Sequence, residues 1–196
     1  MEDKLNEILK GIQKLENQLT FELQKGEEEF FYKVQKKRVR FEKEIKAKHR
    51  LLIKRIREYV KEAAFLNILT APIIWSILFP AVLMDMVMSF YQAVCFPIYG
   101  IPKVDRSKYI VIDRHYLSYL NGVEKLNCAY CGYVNGLIGY AQEIAARTEQ
   151  YWCPIKHARK TRFVHARYSN FISYGDAEGY RKNIESVRRN FDDIKK

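Results

Sequence analysis

Proline is absent from the first 71 residues of this 196-residue chain, and lysine and arginine are absent from residues 63–102. The first absence leaves no strong helix breaker in the N-terminal third, because proline removes a backbone donor and clashes with the preceding turn. The second leaves forty residues whose one charged side chain is Asp85, about twice the apolar length that a bilayer span needs. Also missing are a Gly-rich phosphate loop, a Ser/His/Asp arrangement and a paired-carboxylate site, so the familiar hydrolytic and nucleotide-binding signatures are not carried. The opening "MEDKLNEILKGIQKLENQ" lacks the basic start and apolar run of a secretory signal. A reducing, cytosolic setting is therefore expected, and there cysteines at C-x2-C spacing read as metal or redox ligands before disulfides.

What is present is unevenly spread. The net charge of +11 divides into −4 over residues 1–32, +9 over 33–62, −1 over 63–102 and +7 over 103–196. Those blocks predict a mainly α protein in three parts. Residues 1–62 read as a coiled-coil rod, basic after residue 32. Residues 63–102 read as a membrane hairpin or re-entrant segment, and 103–196 as a basic, Tyr-rich C-terminal domain, small and helical, with a Cys/His cluster.

In the rod, Leu5, Ile8, Ile12, Leu15 and Leu19 alternate at three and four residues, the seam of a left-handed coiled coil. Phe31, Val34, Phe41, Ile45, Leu52 and Tyr59 resume the pattern out of phase, which predicts a stutter or hinge near Gly26. A helix from Leu5 to Lys61 would be roughly 85 Å long. It needs a second copy or a fold-back to cover its seam, so a homo-oligomer through this helix is expected. The basic run "KVQKKRVRFEKEIKAKHRLLIKRIREYVK" fits either nucleic acid or anionic lipid. Its place directly before the apolar segment favours membrane lipids.

Pro72, Pro80 and Pro97 divide the apolar segment. Lys54, Arg55, Arg57 and Lys61 precede it, while Lys103, Arg106, Lys108 and Arg114 follow. Basic residues on both flanks satisfy the positive-inside rule only if both ends face the cytoplasm. That predicts a helical hairpin with its bend near Pro80 to Asp85, with Asp85 at the tip and the N- and C-terminal regions both cytoplasmic.

Beyond it, "KYIVID" (108–113) suggests a short strand, with Asp113 capping a helix through "RHYLSYLNGVEKL". The stretch "NCAYCGYVNG" places Cys128 and Cys131 three apart, and "YWCPIKH" adds Cys153 and His157. C-x2-C…C-x3-H has the composition of a Cys3His metal site. Locally, "CxxCGY" and "WCP" resemble the two knuckles of rubredoxins, and about equally a treble-clef zinc module. The rubredoxin likeness departs at Lys156, which stands where the fourth iron-binding cysteine would be, with His157 one position on. Either resemblance implies a metal. The histidine favours zinc, with iron as the alternative.

A helix over 137–152 constrains that site. Cys131 and Cys153 lie twenty-two residues apart, about 33 Å if all helical. They meet only if Gly132, Asn135-Gly136 or Gly139 turns the chain back, or if a second subunit supplies the other half. Otherwise Cys128 and Cys131 form a separate dithiol or simply pack. The three glycines could instead let helices approach closely. Glu143, Arg147 and Glu149 are spaced as intrahelical ion pairs. Residues 176–196 read as a final amphipathic helix.

The expectation is a membrane-anchored, non-enzymatic scaffold or adaptor with a structural zinc site. The alternatives are a membrane-associated redox protein using iron or the dithiol, and a membrane enzyme whose lipid or small-molecule substrate meets Asp85, His115 or His157.

Overall fold

The computed structural model describes residues 11, 14–15, 17–25, 29–30, 32–35, 38–162 and 164–194. The chain is mainly helical, 69% helix, and divides into two compact units. The first comprises residues 1–62 and 113–126, the second 63–112 and 127–196.

In the first unit, residues 17–25 are helical (α1), but no single rod follows. Two strands, β1 (Tyr32–Gln35) and β2 (Arg38–Phe41), pair antiparallel with Tyr32 opposite Phe41 and Val34 opposite Val39. Two short helices follow, α2 (Lys43–Leu51) and α3 (Ile56–Glu62). The continuous helix expected from Leu5 to Lys61 is thus corrected. "YKVQ" and "RVRF" alternate apolar and polar residues with period two, as strands do, and Tyr32, Val39 and Phe41 are each half-buried. The seven-residue spacing of Val34 and Phe41 suggests one helical seam, but the two residues lie on different strands of the hairpin. The seam positions Leu5, Ile8 and Ile12 and the expected hinge at Gly26 lie outside the described residues.

A ladder of rings steadies this unit: Tyr32 to Phe41 (5.6 Å between centroids), Phe41 to His49 (5.4 Å) and His49 to Tyr119 (5.3 Å). Asp113 caps no long helix; it precedes a 3-10 turn over Arg114–Tyr116 and makes no side-chain cap bond. The long helix, α6 (Gly122–Trp152), starts at Asn121 instead. There Asn121 Oδ1 accepts from the Glu124 N–H (3.0 Å) and Glu124 Oε2 accepts from the Asn121 N–H (2.8 Å), a reciprocal cap.

In the second unit, α4 (Phe65–Ser76) leads into α5 (Leu78–Tyr99) through Ile77, whose dihedrals stay helical (φ −63°, ψ −22°). Pro80 falls in the first turn of α5, where a missing N–H costs nothing. The expected hairpin bend at Pro80–Asp85 is therefore corrected: those residues are helical, and the apolar run continues over Phe65–Tyr99. Gly100 ends it at φ 68°, with the Ile101 N–H returning to the Phe96 carbonyl (2.9 Å), a Schellman turn that needs glycine's left-handed freedom.

Residues 101–112 then run back along α5, with a 3-10 turn at Arg106–Lys108, and from Asn127 onward α6 lies beside α5 in the same direction. Trp75 meets Tyr130 (4.8 Å), and Tyr99 stacks on Tyr151 (5.0 Å). The core between them contains Ala81, Phe96, Ile101, Val104, Leu137, Tyr140 and Ile144, closed by Phe191 from the C-terminus. Lys108–Asp113 pairs with no strand. Side chains satisfy the returning backbone instead: Gln92 Oε1 accepts from the Val104 N–H (2.9 Å), and Arg147 donates to the Pro102 carbonyl (2.7 Å).

The C-terminal stretch ends in α7 (Ala177–Arg189), capped by Asp176 accepting from the Gly179 N–H (2.8 Å). Gln150 of α6 donates to the Val187 and Asn190 carbonyls (2.9 and 2.7 Å) at the end of α7, and Arg167 bridges Gln150 and Asp193 (2.8 and 2.6 Å).

Candidate functional site

Three polar residues interrupt the apolar sequence of α5 at helical spacing: Asp85, Ser89 and Gln92. They share one face, which is turned toward α6 and the returning segment. Asp85 sits at the centre. Its carboxylate accepts from Arg106 Nε (3.1 Å) and Nη2 (2.5 Å), from the Tyr133 hydroxyl (3.0 Å) and from Ser89 Oγ (3.3 Å). Ser89 also meets the Tyr140 hydroxyl (3.3 Å), and Gln92 Nε2 donates to the same oxygen. Nearer the C-terminus of α5, the Tyr91 hydroxyl meets Thr148 Oγ1 (3.1 Å).

The electrostatics are those of a closed clamp. The Asp85 side chain retains 13% of its exposure against 46% for Arg106, so the cation is open to water while the anion is largely covered. Hydrogen bonding to Asp85 raises the Arg106 pKa, making a permanent cation more secure. Burial, and then the bond to Asp85, raise the Tyr133 phenol, so it stays protonated and donates. Both carboxylate oxygens are engaged, and a ligand would have to displace Arg106 or Tyr133 to reach them. The geometry suits holding three chain segments together better than transferring a proton.

The metal-site residues are not brought together. Cys128 and Cys131 lie on α6, which continues unbroken to Trp152. Cys153 is the first residue beyond it, its N–H bonded to the Glu149 carbonyl (2.8 Å), and both Cys131 and Cys153 are exposed. His157 lies in an extended stretch, its ring against Tyr168 (6.1 Å) and its N–H donated to the Tyr168 hydroxyl (2.7 Å). Among the described residues no group of three or more His, Cys, Asp or Glu could hold a metal. The helix runs unbroken through Gly132, Gly136 and Gly139, and the first two lie against the backbone of the returning segment. A Cβ on Gly136 would stand 2.8 Å from Ile110 Cα, and one on Gly132 would stand 3.1 Å from the Val111 carbonyl oxygen. Those glycines admit the returning segment against α6. Within one chain the four residues do not fit zinc or iron. His115 is exposed on its 3-10 turn, its ring against Tyr116 (3.9 Å), and His165 pairs with Glu149 (2.9 Å).

Sequence reasoning singled out Asp85 but missed Ser89, Gln92, Arg106, Tyr133 and Tyr140. A helical projection of 85–92 would have put the three polar residues on one face. Nothing local announces Arg106, which arrives only because the Gly100 turn sends the chain back.

The opposite face of α4–α5 is apolar and open. Phe79, Phe90 and Ile98 are 79%, 72% and 72% exposed, and Leu83, Met86 and Val94 lie in the same stripe. Over Phe65–Tyr99 the best window has a mean hydropathy of 1.9 with 6% of it buried, long and apolar enough to cross a membrane. Compared with known protein families, with curated proteins and with solved structures, the chain matches none.

Proposed function

We propose that the chain is a membrane-bound scaffold or adaptor, attached to phospholipid through α4–α5. The observation that carries this reading is the 35-residue apolar helical run whose large side chains stand exposed among the described residues. Exposed apolar area on that scale is costly in water and needs a cover. Lysine and arginine on both sides of the run in sequence are complementary to an anionic leaflet, which favours the cytoplasmic face. The Asp85 clamp supports a holding role, because it ties α5 to α6 and to the returning segment without leaving a free catalytic group.

The test is fractionation of the expressed full-length chain. Sedimentation with membranes and release by detergent but not by high salt is the expected result. A Phe79→Asp, Phe90→Asp double variant is expected to shift the protein to the soluble or aggregated fraction. Recovery of the unaltered chain as a monodisperse soluble protein without lipid or detergent would overturn the proposal.

A further inference from the structure

Given attachment through α4–α5, on which this depends, we infer that the run lies along one leaflet and does not cross the bilayer. Three placements compete, and lengths decide among them. Upright, the 35 helical residues extend about 52 Å, against roughly 30 Å of hydrocarbon. Fitting all of them within the core as a span needs a tilt of roughly 55°, beyond the 0–40° range of membrane helices.

A shorter span fails at either end. If residues 65–84 crossed, the stripe of Met86, Phe90, Val94 and Ile98 would be left in water. If Leu78–Tyr99 crossed, the returning segment would enter the hydrocarbon with it. Gln92 holds Val104, and Asp85 holds Arg106, so the segment reaches fourteen residues, about 21 Å, back along α5 from Tyr99. Its exposed Lys103, Asp105, Arg106, Ser107 and Lys108 would then lie at mid-bilayer depth.

Lying along the surface removes each conflict. The stripe from Phe79 to Ile98 faces lipid, and the polar side of α5 faces the water-side layer formed by the returning segment and α6. α4 is apolar around most of its circumference and suits the same apolar layer. Its Thr70 and Ser76 hydroxyls are already bonded to the Leu66 and Ile73 carbonyls (2.9 and 2.7 Å), as a lipid setting requires. The basic flanks, Lys54–Lys61 before and Lys103–Lys108 after, then both meet the headgroups of one leaflet. That is the condition the positive-inside rule sets, reached without a hairpin.

Sidedness tests this in the full-length chain with a protease-cleavable tag at each end. Sealed inside-out and right-side-out membrane vesicles from expressing bacterial cells are treated with an impermeant protease. Both tags are expected to be cleaved in the inside-out preparation and neither in the other. Spin labels replacing Phe79, Phe90 and Ile98 are expected to report one common, shallow depth. Cleavage of one tag in each preparation, or a depth that changes steadily from Phe79 to Ile98, would overturn the surface placement and leave membrane attachment standing. Recovery of the chain as a soluble oligomer, with a second copy covering the stripe, would overturn both.

Discussion

Asp85 carries its charge inside a protein layer because four donors surround it, and Arg106 alone supplies two of them. Asp85→Asn keeps the shape but removes the charge that Arg106 and Tyr133 address. Because Arg106 is half-exposed and can turn to water, the expected loss is about 1–2 kcal/mol, read as a lower Tm in detergent. Gln92 is more demanding, since it is buried and satisfies both the N–H and the carbonyl of Val104. Gln92→Leu should cost about 1–3 kcal/mol for each backbone group left unpaired, and the Val104 amide should exchange faster with deuterium. The glycines of α6 separate close approach from flexibility. Gly136→Ala drives a Cβ into the backbone of Tyr109 and Ile110, whereas at Gly139 the nearest atom is a ring carbon of Tyr109 at an ordinary 3.4 Å. Alanine adds about 0.8–1.0 kcal/mol of helix propensity at both. Denaturant melts should therefore show Gly139→Ala neutral or stabilised and Gly136→Ala destabilised. The sequence suggested that these glycines allow close packing between helices, but it could not say that the backbone of Tyr109–Val111, just after a 3-10 turn, is what they admit.

At the scale of elements, long apolar periodicity was legible and its interruptions were not. The helix over 137–152 and the apolar stretch over 63–102 follow from composition and spacing, but α6 begins fifteen residues earlier, at Gly122, and the stretch shows no hairpin bend at Pro80–Asp85. The hairpin of β1 and β2 was hidden because Val34 and Phe41, seven apart, fit the helical heptad, and the strand alternation is only four residues long on each side of the turn. The prolines misled for a related reason: Pro80 reads as a bend in isolation, yet it occupies the first turn of α5, where it is tolerated. The Cys/His set was legible as a composition, whereas its placement was not: within one chain an unbroken α6 separates Cys131 from Cys153 by roughly 33 Å. Cys153→Ser and treatment with a chelator are accordingly expected to leave the Tm unchanged, and elemental analysis should find zinc and iron well below one per chain. Stoichiometric metal lost on Cys153→Ser would show that two copies build the site between them.

For the whole molecule, two faces of one apolar run do different work. The inner face of α5 is committed to the clamp and to the core with α6, so it stays with the protein. Within the second unit, none of the described residues covers the outer face. Moving the charges of the returning segment into hydrocarbon would cost about 2.5–3.5 kcal/mol each, several times the 0.3–0.6 kcal/mol that each large aliphatic residue returns by insertion. Surface attachment keeps most of that gain without the penalty. It also places the basic flanks where each is worth about 1 kcal/mol against anionic lipid, so association should weaken as salt rises or as the anionic lipid is withdrawn, without being abolished. The most direct measurement is flotation of the full-length chain with sealed phosphatidylcholine–phosphatidylserine vesicles on a density gradient. The account predicts that the chain floats with the vesicles, and that Phe79→Asp with Phe90→Asp leaves it at the bottom. An unaltered chain that stays at the bottom, folded and free of lipid, would contradict it.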